Sequence, residues 1–66
     1  MTHFIGGPMH GVYVPSNKHS AYRIMIGVVH YIRRVDSTGR VDFAIYGMND
    51  ANVQQLLAEI YSTEDV

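Results

Sequence analysis

Tyr22-Arg23-Ile24-Met25-Ile26-Gly27-Val28-Val29-His30-Tyr31-Ile32-Arg33-Arg34-Val35 is the stretch on which the fold turns. It is rich in Ile, Val and Tyr, shows no helical period, and reads as strand. Read as one continuous strand, it puts Tyr22, Ile24, Ile26, Val28, His30 and Ile32 on one face and Met25, Val29, Tyr31 and Val35 on the other. Both faces are then largely apolar, the pattern of a central strand covered on two sides. Gly27 offers a second reading, a bulge or bend that divides the run into two strands.

Downstream, Asp36-Ser37-Thr38-Gly39-Arg40 has the chemistry of a hairpin turn, with Gly39 at the left-handed position. The returning segment alternates: Val41, Phe43 and Ile45 against Asp42, Ala44 and Tyr46. Pairing Asp36 with Arg40 sets Arg34 opposite Asp42, Val35 opposite Val41 and Tyr31 opposite Ile45. Beyond Gly47, Asn49 or Asp50 can cap a helix. Val53, Leu56, Leu57 and Ile60 recur at helical spacing, and Gln54, Gln55 and Glu59 take the wet side. The helix is expected over about residues 50–62, fraying near Ser62 and leaving Glu64 and Asp65 as a loose acidic tail.

Upstream, Phe4-Ile5 and Val12-Tyr13-Val14 are short β-type segments joined by Gly6-Gly7-Pro8-Met9-His10-Gly11, a sharply bent connection. Pro15 ends the second segment, and Ser16 to Ser20 reads as a polar loop. Together these segments predict an α+β fold: a small antiparallel sheet of about four strands, with strands over about residues 3–15 and 22–46, and one C-terminal helix packed on it. The 66 residues leave room for a single domain.

A chain this short buries only about 60% of its unfolded surface, so small domains usually add a disulfide, a metal or a partner subunit. Cysteine is absent, which excludes disulfides and thiolate metal sites and fits a reducing compartment. Association remains, and a homo-oligomer is expected. One helix shields one sheet face, and the other, carrying Ile24, Ile26 and Val28, would otherwise be wet. Lys plus Arg number 5 and Asp plus Glu 6, a net charge of −1, which argues against general nucleic-acid binding. The opening residues lack a signal-peptide pattern and no apolar run is long enough for a bilayer, so a cytoplasmic protein without a membrane partner is expected.

The candidate chemistry is sparse. Gly6, Gly7 and Gly11 can turn backbone amides toward an anion, although Gly11 leads into a β-type segment and matches neither phosphate-loop fingerprint. His3, His10, His19 and His30 lack the short spacing of metal ligands, so neither metal nor cofactor is expected. Arg34 has a cross-strand partner in Asp42, whereas Arg33 shares its face with Val35, Val41 and Phe43 and has none. Arg23 has the same nominal phase as Arg33 unless Gly27 breaks it. The predicted ligand-binding set is Gly6, Gly7, His10, Gly11, Tyr13, Arg23 and Arg33, a non-catalytic anion site in which His10 or Tyr13 bonds or stacks on a base.

The opening Phe4-Ile5-Gly6-Gly7-Pro8-Met9-His10-Gly11, followed by Val14-Pro15, resembles a loose set of very small proteins of tailed bacteriophages and prophages. These typically begin with an aromatic residue, Gly-Gly-Pro-x-Asp-Gly, and a Val-Pro a few residues later. Tyr31-Ile32-Arg33-Arg34, Gly39-Arg40 and Phe43 are similar, less specifically, to a second block. His10 stands where the usual Asp would be, so no role of that carboxylate carries over. The resemblance implies a phage accessory protein working in the host cytoplasm. Two functions compete: counter-defence by sequestration of a small anionic ligand such as a nucleotide immune signal, or inhibition of a host enzyme or defence protein by covering its surface; a passive structural or packaging role is the third alternative.

Overall fold

The computed structural model describes residues 2–64. Four strands and a helix follow in order: β1 (Phe4–Ile5), β2 (Arg23–Ile26), β3 (Val29–Val35), β4 (Val41–Ile45) and α1 (Asp50–Glu64). Two short 3-10 turns, Gly7–Met9 and Ser16–Lys18, lie between β1 and β2. The strands form one sheet in the order β1-β4-β3-β2. The predicted α+β class holds, with a difference in detail: β1 runs parallel to β4, while the other two pairings are antiparallel.

The expected register of β3 and β4 is the one observed, with Arg34 opposite Asp42, Val35 opposite Val41 and Tyr31 opposite Ile45. The turn is closed by the Asp36 carboxylate, which accepts from the Thr38 hydroxyl (2.6 Å) and from the backbone N–H groups of Thr38 and Arg40 (2.9 Å each). The Thr38 hydroxyl bond is the leading cause that holds the Asp36 carboxyl below its ordinary value of 3.8. Arg34 and Asp42 share a face without pairing; Arg34 instead donates to Asp50 at the start of α1 (3.1 Å).

The continuous-strand reading of residues 22–35 is corrected. Gly27, at φ +60°, and Val28 form a two-residue hairpin turn, because glycine at the first position supplies the positive φ that a type II′ turn requires. Ile26 pairs with Val29, Ile24 with Tyr31 and Arg23 with Ile32. Every side chain beyond the turn thereby changes its relation to those before it. Ile24 and Ile26 now share a face with Val29 and Tyr31, and Arg23 shares one with His30, Ile32 and Arg34.

Each sheet face carries its own core. On one, α1 lays Val53, Leu57 and Ile60 against Ile5 and Ala44. Asn49 caps the helix by accepting from the Asn52 N–H (2.9 Å). The helix continues past Ser62 through Glu64; Asp65 lies outside the described residues. On the other face Phe4, Tyr31, Phe43 and Val14 are buried, with Met9, Ile24, Ile26 and Val29 packed on them. The N-terminal segment therefore covers the face that was expected to need a partner subunit. Val28, at the hairpin tip, belongs to neither core.

Residues 11–14 do not form a separate strand of the sheet. They run along the outer edge of β1, where the Phe4 N–H donates to the Val12 carbonyl (2.9 Å), the Val14 N–H to Thr2 (2.8 Å), and His3 bridges Tyr13. Ser16–Lys18 is a 3-10 turn, not irregular loop.

Candidate functional site

The glycine-rich segment is anchored to the core at Gly6, which is buried, and at half-buried Met9, while Gly7, Pro8 and Gly11 are exposed. Tyr31 is fully buried, and its hydroxyl donates to the Gly6 carbonyl (2.6 Å) while accepting from the Met9 N–H (3.2 Å). The Gly6 N–H donates to Nδ1 of His10 (2.9 Å), the His10 N–H to the Gly7 carbonyl (3.2 Å), and the Gly11 N–H to the Phe4 carbonyl (2.9 Å). The Nε2 of His10 lies 3.9 Å from a Glu59 oxygen on α1. His10 thus closes the turn through Gly6 and faces the helix at Glu59. An anion would have to compete for each of these amides.

The remaining members of the predicted set are scattered. Tyr13 sits against the ring of buried His3, with centroids 4.7 Å apart. Arg33, expected to lack a local partner, has one: its Nε donates to the His19 carbonyl (3.0 Å). That partner comes from the 16–20 segment, read from the sequence as a polar loop. Arg23 lies on the opposite face of the sheet from Arg33, because the Gly27 turn breaks the phase between them. The structure therefore does not bring the two arginines together.

It places Arg23 in a different site. Strands lie about 4.8 Å apart and a helix with its side chains is about 10–12 Å across, so one helix covers roughly two strands. Here α1 covers β1 and β4, through Ile5 and Ala44, and leaves β2 and much of β3 open on that face. The open half holds a concavity of about 480 Å³ lined by Tyr22, Arg23, His30, Ile32 and Tyr46. A second of about 200 Å³ shares Ile32 and Tyr46 and adds Arg34. Tyr22 and Tyr46 are 75% and 76% exposed, well beyond what core tyrosines show, so their rings are available for contact.

Among the described residues the Arg23 guanidinium makes no hydrogen bond or ion pair. The other arginines are engaged: Arg33 by His19, Arg34 by Asp50, and Arg40 over the Tyr61 ring at 4.6 Å. Among the described residues no carboxylate lines either concavity. Asp50, at the start of α1, pairs with Arg34 beside the smaller concavity (3.1 Å), and Asp42 on the same sheet face is buried at the covered end, where it accepts from the His3 N–H (3.4 Å). Burial pushes its carboxyl above 3.8. The open surface is therefore aromatic and cationic, with an imidazole between. Tyr22, His30, Ile32 and Tyr46 were not singled out as site residues from the sequence; Gly27 as a turn was the signal that would have found them.

The chain matches no family model, no curated protein and no solved structure. Its function has to be read from the side chains themselves. Among the described residues no helix is long and apolar enough to cross a membrane, and no three His, Asp or Glu side chains converge.

Proposed function

We propose that the chain is a non-catalytic binding protein that holds a small anionic ligand with a planar ring, a nucleotide being the best fit, on the open half of the helix-side sheet face. The observation that carries this reading is a concavity lined by Arg23, exposed Tyr22 and exposed Tyr46, in which, among the described residues, the Arg23 guanidinium has no partner and no carboxylate lines the surface. Tyrosine faces stack on bases at about 1–3 kcal/mol each. A guanidinium offers paired donors to phosphate, each charge-assisted bond contributing about 1.5–3 kcal/mol. Arg34 flanks the same tyrosine, and its exposed ion pair with Asp50 costs little to open. In the setting implied by the opening motif, such a protein sequesters a nucleotide signal of host defence in the infected cytoplasm.

Calorimetry against mono-, di- and cyclic nucleotides tests this. Arg23→Ala is expected to weaken binding by about tenfold or more, the equivalent of one charge-assisted bond. Arg33→Ala, on the other face, is expected to leave it unchanged. Heat from no nucleotide, or loss through Arg33 alone, would retire the reading.

A second reading has its own observation. Met25 is 57% exposed and Val28 92%, apolar side chains at the rim of the same surface. A protein inhibitor that covers a host surface uses such residues. Its binding would survive Arg23→Ala and fail on Met25→Glu or Val28→Glu.

A further inference from the structure

The two edges of the sheet are treated differently. Beside β1, residues 11–14 occupy the edge through main-chain hydrogen bonds. Beside β2, at the other end of the strand order, no further strand of the described chain pairs.

Hydrogen-bond parity identifies which groups of β2 face outward. The Arg33 N–H donates to the Tyr22 carbonyl (3.0 Å), so Tyr22 and Arg33 form a hydrogen-bonded pair. Alternation then turns the main-chain groups of Ile24 and Ile26 toward β3, and those of Arg23 and Met25 away from it. The β3–β4 ladder has the complementary parity, since the Tyr46 N–H donates to the His30 carbonyl (2.9 Å). Natural edges are usually blunted by lysine, proline, a bulge or a covering segment. The sequence Arg23-Ile24-Met25-Ile26 has none of these, and its one charge sits at the end.

We propose that β2 pairs antiparallel with β2 of a second copy across a twofold axis at Ile24, joining two sheets into one of eight strands. The register follows from elimination. A twofold relation needs the outward residues to pair with one another. Centring on Arg23 sets two guanidinium groups directly opposite, which is repulsive. Centring on Met25 pairs Arg23 with Gly27, which lies in the turn and outside the strand. Centring on Ile24 pairs Arg23 with the partner's Met25 and uses every outward N–H and carbonyl of both strands. It also sets the Arg23 side chain against the thioether of the partner's Met25, and apolar Ile24 against its own copy. Because Arg23 lines the concavity, the partner would then wall the ligand site on its open side. The pairing itself does not depend on what that site holds.

The absence of native cysteine makes the test clean. In this register Ile24 and its copy form a non-hydrogen-bonded pair with Cα atoms about 4.5 Å apart, inside the about 4.4–6.8 Å range of disulfides. Met25 and its copy are diagonal neighbours about 7–8 Å apart, outside that range. The full chain carrying Ile24→Cys is expected to form a disulfide-linked dimer under mild oxidation, and Met25→Cys to stay uncrosslinked. Native mass spectrometry of the unmutated chain at micromolar concentration is expected to show a dimer. Met25→Pro removes an outward N–H and is expected to shift it to monomer while far-ultraviolet circular dichroism keeps its folded signature. A monomeric unmutated chain, efficient crosslinking through Met25→Cys in place of Ile24→Cys, or a folded Met25→Pro dimer would each overturn the pairing.

Discussion

Tyr31→Phe removes one oxygen from the centre of the molecule and is the sharpest test of how the N-terminal segment is held. The hydroxyl donates to the Gly6 carbonyl at 2.6 Å and accepts from the Met9 N–H at 3.2 Å. The ring itself stays packed, T-shaped against Phe4 at 4.7 Å, so no large cavity opens. What is lost is polar satisfaction. Gly6 is buried, so its carbonyl is stranded, a penalty of about 1–3 kcal/mol for a buried unsatisfied group. Met9 is half-buried and water can reach its N–H, so the second bond is worth the lower end of about 0.5–1.5 kcal/mol. Together they amount to about 2 kcal/mol. A chain of 66 residues has a total stability of about 3–10 kcal/mol, so the loss is a large fraction. With a urea slope near 1 kcal/mol/M for so small a protein, the midpoint should fall by about 2 M. Urea titration followed by circular dichroism measures it, and amide exchange at Met9 should quicken alongside. A midpoint shift below about 0.5 M at unchanged slope would mean that the hydroxyl does not hold the segment down.

The glycines differ in what they protect. A Cβ at Gly7, φ +68°, would lie 2.8 Å from both Ile45 Cδ1 and the Tyr31 hydroxyl, whereas at Gly11, φ +83°, it meets nothing within 4 Å. Gly7→Ala should cost about 1–3 kcal/mol more than Gly11→Ala, as overpacking adds to backbone strain, and equal melting of the two variants would refute this. Asp42 and Asp36 should titrate in opposite directions from 3.8 in carboxyl-carbon NMR, Asp42 above it from burial and Asp36 below it from the Thr38 hydroxyl. For Asp36 the folded state holds its proton less tightly than the unfolded state, so its stabilisation is present above 3.8 and is lost as the pH falls through the folded value. For Asp42 the sign reverses: its charged form opposes folding above the folded value, and the penalty disappears as the pH falls through that value toward 3.8. Asp42→Asn should therefore remove an acid-side gain in stability, and a steeper gain in the variant would contradict the assignment.

How far the sequence could be read depended on whether the decisive interactions were local. The β3–β4 hairpin and its register were legible because Asp36, Gly39 and the alternation after Arg40 all lie within one turn of chain. The helix was legible from its stripe, and its cap from Asn49. Gly27 was ambiguous, because a lone glycine in a strand run serves a bulge and a two-residue turn equally well. That one ambiguity inverted the relation between Arg23 and Arg33 and concealed the Tyr22–Tyr46 surface. The parallel pairing of β1 with β4 joins residues 39 apart, Phe4 with Phe43, and no local pattern encodes it.

The same geometry bears on where an anion would settle. At the glycine turn three main-chain donors already have acceptors: the Gly6 N–H in His10, the Met9 N–H in Tyr31, the Gly11 N–H in Phe4. Binding there must first open hydrogen bonds worth about 0.5–1.5 kcal/mol each, in bonds that also hold the segment covering one core. At Arg23 no bond to another described residue has to be broken, and Tyr22 and Tyr46, which line the same concavity, already stand in solvent. The guanidinium still loses some freedom and hydration on binding, as any site residue does. The difference between the two sites is the cost of dismantling a closure, and it favours the open sheet face. Glycines at positions 6 and 7 are then explained by the close approach of Met48, Ile45 and Tyr31, with no ligand required.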